Sequence, residues 1–147
     1  MGARCKPVEP REGNMSHSDA TVKDIMTKEV STLGRNDTLD LADDMMTLAR
    51  IRHLVVLDEG RVVGVVSQRD LFRSALAVAL GYGEKAQKAL LRTIRVKEVM
   101  SEPAMTVSPE ASAKEATRLM LEHKIGCLPV VEGRTLMGIV TETDVLR

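Results

Sequence analysis

The residues Gly64-Val65-Val66-Ser67-Gln68-Arg69-Asp70 occur again, in closely similar form, as Gly138-Ile139-Val140-Thr141-Glu142-Thr143-Asp144. Each copy has a glycine, an apolar strand end, a hydroxyl residue and an aspartate three residues after the hydroxyl. We expect a strand that leads into a helix here, with the hydroxyl and the carboxylate together at the start of the helix. The N–H groups at a helix start favour an anion such as a phosphate, and a carboxylate can accept hydrogen bonds from a sugar diol. The stretch therefore predicts a nucleotide pocket, and its repetition predicts two.

The similarity extends well beyond these seven residues. Residues 22–71 align with residues 96–145 without a gap, and twelve of the fifty positions are identical. A half of this size can bury only a small core by itself, and two copies are too few for a solenoid. We therefore predict two half-domains that bury a shared face.

The composition narrows the possible partners. Lysine plus arginine and aspartate plus glutamate number 21 each, so the net charge is zero, and there is one tyrosine, one phenylalanine and no tryptophan. This balance argues against nucleic acid as a partner, because phosphate contacts need excess positive charge and single-stranded bases need aromatic side chains. The two cysteines form no metal or redox motif, and no apolar run is long enough to cross a membrane. We expect a cytoplasmic protein without a membrane partner or a metal.

Apolar periodicity predicts a mixed α/β (α+β) fold with the order β-α-β-β-α in each repeat. In the first repeat this means a strand at 30–33, a helix capped by Asp37 or Thr38, a hairpin at 53–57 and 61–67, and a further helix. The second repeat should have a strand at 104–107 and a helix opened by Ser108-Pro109-Glu110. The predicted segments are a flexible tail at 1–20, a first half-domain at 21–80, a bridging helix at 81–95 and a second half-domain at 96–147.

With these features in place, the chain resembles a tandem pair of cystathionine-β-synthase-type (CBS) domains, the arrangement called a Bateman module. The resemblance covers about residues 22–147. It is carried by the two stretches quoted above, by Ile125 to Val131, and by the repeat starts Val22-Lys23-Asp24-Ile25-Met26 and Val96-Lys97-Glu98-Val99-Met100. It implies two βαββα halves packed by pseudo-twofold symmetry, with clefts between the repeats that bind adenosine compounds, and a homodimer.

The resemblance also implies roles for particular residues. The hydroxyl and the aspartate of each stretch would hold ribose or phosphate, the strand near each repeat start would contact adenine, and a basic residue before the third strand would meet phosphate. Pro129, aligned with Val55, is expected to change little, whereas Gly126 and Cys127 make the second site poorer in positive charge. The predicted ligand-binding residues are Val30, Thr32, Arg52, His53, Ser67 and Asp70 in the first site, and Thr106, Cys127, Thr141 and Asp144 in the second.

Simpler interpretations remain beside these. Asp70 and Asp144 can each cap a helix without binding anything. His123 and Cys127 are four residues apart, but no third ligand or orienting partner has a motif spacing, so a packed cysteine is the better interpretation. His53 can be a half-buried strand residue with no ligand role.

Two functions are compatible with this sequence. The first is a non-catalytic regulatory module that binds AMP, ADP or ATP, with S-adenosylmethionine and NADH as lesser candidates, and that acts on a separate effector protein. The alternative is a structural or nucleic-acid-associated interaction protein with vestigial clefts. An enzyme is not expected, since one aspartate per pocket offers no acid–base pair.

Overall fold

The computed structural model describes residues 19–79 and 83–146, without the side chains of residues 74–79 and Glu84. The described chain forms six helices, five strands and a 3₁₀ turn. In chain order these are α1 Val22–Ile25, β1 Thr32–Gly34, α2 Leu39–Ala49, β2 His53–Asp58, β3 Arg61–Ser67, α3 Gln68–Ala79, α4 Gly83–Leu91, the 3₁₀ turn Val96–Glu98, α5 Ala113–His123, β4 Cys127–Glu132, β5 Thr135–Thr141 and α6 Glu142–Leu146.

The described residues divide into two compact units that do not follow the order of the repeats. The central unit comprises residues 29–79, 83–105 and 133–136, and the terminal unit comprises residues 19–28, 106–132 and 137–146. Each unit therefore contains most of one repeat together with the opening segment of the other. Residues 1–18 of the predicted tail at 1–20 lie outside the described residues. Ala20 is buried, and its carbonyl accepts a hydrogen bond of 2.8 Å from the Ala113 N–H.

The central unit is organised around a three-stranded sheet in the order β1-β2-β3. β1 runs parallel to β2, with Thr32 beside Val55, and β2 runs antiparallel to β3, with His53 beside Ser67. Glu59 and Gly60 both have positive φ angles, 53° and 79°, as the two central residues of a type I′ hairpin turn require. The first repeat thus has the predicted β-α-β-β-α order.

An aliphatic core holds the helices of the central unit to its sheet. Thr38, one of the two predicted caps, holds the N-cap position of α2, but its side chain makes no capping hydrogen bond to the helix backbone. Arg50 ends that helix in the left-handed conformation with φ 57°. The helix α4, Gly83–Leu91, forms within the predicted bridging segment 81–95, but it ends before Arg92, and residues 92–95 are not helical. The buried cluster consists of Leu33, Leu39, Ala42, Met46, Leu54, Val56, Val66, Leu71, Leu91, Val96 and Met100.

The opening segment of the second repeat belongs to this central unit. The Ser101 N–H donates to the Val65 carbonyl at 2.9 Å, and the Val65 N–H returns a bond of 3.2 Å to the Ser101 carbonyl. A Cβ atom on Gly64 would lie 2.9 Å from the Ser101 carbonyl oxygen and 2.8 Å from the Met100 sulfur. Gly64, the first residue of the repeated stretch, is therefore required by the close approach of another backbone.

The terminal unit contains the reciprocal arrangement. β4 and β5 form a two-stranded sheet, and the Thr27 N–H donates to the Ile139 carbonyl at 2.8 Å. A Cβ atom on Gly138 would lie 2.7 Å from the Thr27 carbonyl oxygen. The opening segment of the first repeat is thus part of the unit that carries the end of the second repeat. This exchange was not predicted from the sequence.

Two details of the second repeat were predicted wrongly. No strand spans 104–107 among the described residues, where only Val107 forms a bridge, parallel, with Val130. The cause is Pro129, which the repeat aligns with Val55: the Val55 N–H donates to the Ser31 carbonyl at 3.3 Å, and proline has no N–H. The effect of Pro129 was therefore underestimated.

The start of α5 also differs from the prediction. The helix begins at Ala113 and not near Ser108, because Ser112 is the N-cap and its hydroxyl oxygen accepts the Glu115 N–H at 3.0 Å. Within the described residues, no helix combines the length and the apolar character needed to cross a membrane. The cytoplasmic location stays a prediction.

Candidate ligand-binding site

The first candidate site lies where β3 leads into α3. The Ser67 N–H donates to Asp70 Oδ2 at 2.8 Å, and the Ser67 hydroxyl donates to the same oxygen at 2.9 Å. The Asp70 N–H donates in turn to Ser67 Oγ at 3.2 Å. This reciprocal pair caps α3. The structure thus brings the hydroxyl and the carboxylate together as predicted and shows that capping is one role of the pair.

Two further predicted residues lie at the same corner of the sheet. His53 is half-buried and stands beside Ser67 across the β2–β3 ladder. The exposed Arg52 precedes it, and the Arg52 carbonyl accepts a hydrogen bond of 2.8 Å from the Gln68 N–H. These contacts join the start of β2 to the end of β3. We call the group Arg52, His53, Ser67 and Asp70 the first corner.

The remaining residues predicted for the first site lie on the other side of β2. Thr32 pairs with Val55, two residues along β2 from His53, and Val30 comes just before β1. β1 and β2 begin at the same end of the sheet, where the antiparallel β3 finishes. Because neighbouring strands are about 4.8 Å apart, β1 lies about 10 Å from β3. A ligand that touched both Thr32 and Asp70 would cross this end of the sheet.

The second candidate site, in the terminal unit, repeats the cap but differs in its surroundings. Asp144 Oδ2 accepts hydrogen bonds from the Thr141 N–H at 2.9 Å and from the Thr141 hydroxyl at 3.2 Å. The Glu142 N–H donates to the Gly126 carbonyl at 3.1 Å, as Gln68 does to Arg52 in the first repeat. We call Gly126, Cys127, Thr141 and Asp144 the second corner. Thr106, also predicted for this site, is exposed next to Val107.

One residue at the second corner was missed by sequence reasoning. The Thr27 hydroxyl donates to the Asp144 carboxylate, with distances of 3.2 Å to Oδ1 and 3.4 Å to Oδ2. Thr27 follows the Val-Lys-Asp-Ile-Met start of the first repeat, and Ser101 follows the corresponding start of the second. A hydroxyl residue directly after both repeat starts was the signal that could have identified it.

The cysteine of the second corner is chemically inert. Cys127 begins β4 and is only 5% exposed. Burial, and to a lesser degree the nearby Glu142 carboxylate, raises the pKa of the Cys127 thiol to about 12. A thiol with this pKa stays neutral at physiological pH and is a poor nucleophile. In residues 19–79 and 83–146, no group of three or more His, Cys, Asp or Glu side chains could hold a metal ion.

A separate depression lies between α2 and α4 of the central unit. It has a volume of about 660 Å³, and its lining includes Asp43, Asp44, Leu48 and Lys88. Lys88 forms ion pairs with both aspartates. None of the ten predicted site residues is part of the lining, so this depression is distinct from both corners.

The geometry and the repeat agree with a family comparison. The family model of the CBS domain matches residues 22–77 and 96–147 of this chain. These two ranges coincide with the two repeats and include both Ser/Thr-x-x-Asp corners. The chain therefore belongs to the CBS-domain family, and its fold is the mixed α/β fold of CBS-domain pairs.

Two related sequences and one solved structure are similar to this chain. It is 37% identical over 133 residues to the uncharacterized protein MJ1404 of Methanocaldococcus jannaschii, in an alignment that covers 88% of this chain and 32% of that protein. It is 31% identical over 125 residues to the CBS domain-containing protein YhcV of Bacillus subtilis, covering 85% of this chain and 82% of YhcV. A hexameric CBS-CP12 protein from bloom-forming cyanobacteria has a similar structure, with a TM-score of 0.72, 29% identity, and coverage of 86% of this chain and 69% of that one.

Proposed function

We propose that this chain is a non-catalytic regulatory module that binds an adenosine nucleotide of the AMP, ADP or ATP type. The observation that carries the proposal is the first corner, where Arg52, His53, Ser67 and Asp70 meet at one end of the central sheet. Only the first corner combines positive charge with the hydroxyl–carboxylate pair, since Gly126 and Cys127 stand in the places of Arg52 and His53.

The chemistry of these groups suits the parts of a nucleotide. A carboxylate accepts hydrogen bonds from both hydroxyls of a ribose, which gives Asp70 its role. The exposed Arg52 guanidinium can pair with phosphate oxygens in a bidentate manner. β1, with Val30 and Thr32, would meet the adenine from the far side of β2. S-adenosylmethionine and NADH share the ribose and adenine and are secondary candidates.

A purely binding role is supported by the state of the hydroxyl and thiol groups at the corners. The Ser67 hydroxyl is engaged in the reciprocal cap of α3, and the Cys127 thiol has a pKa of about 12. The buried thiol stays neutral at physiological pH and is a poor nucleophile, and the Ser67 hydroxyl has a structural role in the cap. The module would then act through a change in geometry that a separate effector protein detects, and this change requires different nucleotide affinities in the two states.

The proposal is tested by thermal unfolding of the full chain with AMP, ADP, ATP, S-adenosylmethionine, NADH and a GTP control. A ligand at 100 times its Kd stabilises the folded state by about 2.7 kcal/mol, and this corresponds to a rise of about 5–10 °C in the melting temperature. We expect the rise with an adenine nucleotide, its loss in Asp70→Asn, and its retention in the matched variant Asp144→Asn. Asparagine is also a good capping residue, so Asp70→Asn should remain folded.

Other outcomes would decide against this function. If none of the adenosine compounds raises the melting temperature, the chain does not bind them and the interaction-protein interpretation is favoured. If GTP and ATP stabilise equally, the site recognises phosphate and not adenosine. A rise that survives Asp70→Asn would place the ligand elsewhere.

We also propose that the chain associates with itself as a homodimer. Large apolar side chains are exposed in the central unit, among them Leu48 on α2 at 85% and Phe72 on α3 at 63%, and the structurally similar CBS-CP12 protein is hexameric. Light scattering coupled to size-exclusion chromatography should give twice the monomer mass of 16.1 kDa. A monomer at all protein concentrations tested would contradict this.

A further inference from the structure

The starting observation is the burial of one carboxylate. Asp144 is the only charged side chain among the described ones that is fully buried, with 3% of its surface exposed. Asp70, at the same position in the first repeat, is half-buried. A buried carboxylate is strongly unfavourable unless hydrogen-bond donors surround it. The donors around Asp144 should therefore show what this residue does.

Protein donors surround the Asp144 carboxylate. The Thr141 N–H and hydroxyl bind Oδ2 at 2.9 and 3.2 Å, and the Thr27 hydroxyl lies 3.2 Å from Oδ1 and 3.4 Å from Oδ2. The first two contacts are local and cap α6. The third joins residues 117 positions apart in the chain. Asp144 thus fastens the opening segment of the first repeat to the end of the second.

A ribose diol at the second corner would have to reach this same carboxylate. It would compete with the Thr27 hydroxyl for a buried acceptor, and a displaced group that finds no new partner is unfavourable. The Thr27 backbone is held in place by its two hydrogen bonds with Ile139, of 2.8 and 2.9 Å. Thr27 therefore competes with a ribose for Asp144 without leaving its position in the sheet.

The charges around the two corners also favour a nucleotide at the first corner over the second. The first corner carries Arg52, and Arg69 is exposed in the first turn of α3. The corresponding residues of the second repeat are Gly126 and Thr143, and Glu142 adds a second carboxylate. A nucleotide phosphate would be attracted to the first group and repelled by the second.

We infer that the two repeats have divided their roles: Asp144 fastens Thr27, and each chain binds one adenosine nucleotide, at the first corner alone. This inference rests on the proposed function for the identity of the ligand, but the contact between Thr27 and Asp144 is independent of any ligand.

The contact is tested by a double-mutant cycle on the full chain. Thr27→Val and Asp144→Asn should each lower the melting temperature by about 3–6 °C, because a hydrogen bond to a charged acceptor is lost or weakened. The double variant should be no less stable than the worse single variant, since the contact can be lost only once. Thr143→Val is the matched control. It changes an exposed threonine next to Asp144. Its effect on the melting temperature should add to the effect of Thr27→Val. Additive effects of Thr27→Val and Asp144→Asn would overturn the fastening role.

The number of sites is tested by isothermal titration calorimetry with ATP, AMP and S-adenosylmethionine. We expect one ligand per chain in the wild type and in Thr27→Val or Asp144→Asn at temperatures where each is folded, and none in Asp70→Asn. Two ligands per chain, with one lost in Asp144→Asn, would overturn the division of roles and leave the proposed function standing. No binding of any of the three would overturn the proposed function and the one-site inference together.

Discussion

The first and second corners have the same backbone design and different side-chain environments. In both, an aspartate caps the helix that follows a strand, through the N–H and the hydroxyl of the residue three positions earlier. In the first repeat the aspartate is half-buried, and a histidine and an arginine belong to the same corner of the sheet. In the second it is buried beneath a threonine from the other repeat. The repeated motif therefore gives the same local cap in both repeats, whereas the burial and the neighbours of the aspartate differ.

The largest expected loss of stability comes from two glycine variants, which test whether the two corners are built alike. Gly64→Ala and Gly138→Ala each place a Cβ within 3 Å of a carbonyl oxygen, of Ser101 and Thr27 respectively. Overpacking of this kind lowers the free energy of unfolding by about 1–3 kcal/mol, and we expect similar losses at the two positions. Urea unfolding of both variants measures this.

The control for these variants is Gly34→Ala. Its Cβ would meet only the Asp37 side chain, at an ordinary distance of 3.5 Å, and the loss should be much smaller. A loss at Gly64 or Gly138 no larger than at Gly34 would mean that the opening segments do not pack against the strands as described.

A second test concerns position 127, which the repeat aligns with His53. The ordinary pKa of a cysteine thiol is 9.0. Below this pH, Cys127 is neutral in both the folded and the unfolded chain, so its thiol does not make the free energy of unfolding depend on pH. Above it the unfolded chain loses the proton, whereas the folded chain keeps it up to about pH 12. Stability is therefore lost as the pH rises, by up to about 1.4 kcal/mol per pH unit.

Urea unfolding at pH 8, 9 and 10 would measure this loss against the variant Cys127→Ala. The wild type should lose stability more steeply than the variant, whatever their difference at pH 8. Parallel curves for the two proteins would show that the thiol is not buried as described.

The smallest expected effect concerns α4, which belongs to the central unit. Hydrogen bonds and charge from Asp44 first, and from Asp43 next, raise the pKa of Lys88 above its usual value. These partners are partly exposed, so Lys88→Met should lower the free energy of unfolding by only about 0.2–1 kcal/mol per pair. Arg118→Met, in the exposed pairs within α5 of the terminal unit, should have a smaller effect. A loss of several kcal/mol for Lys88→Met would mean that the ion pairs are far less hydrated than described.

Much of the fold could be predicted because its signals are local and repeated. The gapless alignment of residues 22–71 with 96–145 identified two copies, and the hairpin and the Ser/Thr-x-x-Asp corners followed from turn and capping preferences. The exchange of the opening segments could not be predicted in this way. Periodicity shows which face of Val22 to Met26 is apolar, but it does not show which repeat that face contacts. The glycines at 64 and 138 indicated a close approach without naming the partner.

The candidate site could be predicted only in its local part. The contact of Ser67 with Asp70 depends on three-residue spacing, and the structure contains it. The hydrogen bond of Asp144 with Thr27 joins residues 117 positions apart, and the short ladder at Val107 depends on the missing N–H of Pro129. A single sequence gives little indication of long-range contacts or of the effect of one missing hydrogen-bond donor.

The most direct test of the difference between the corners is a crystal structure of the full chain grown with ATP or AMP. We predict one adenosine per chain, with its ribose hydroxyls on Asp70, its phosphate towards Arg52, and the Thr27 hydroxyl still on Asp144. A nucleotide whose ribose lies on Asp144, with the Thr27 hydroxyl displaced, would contradict the account.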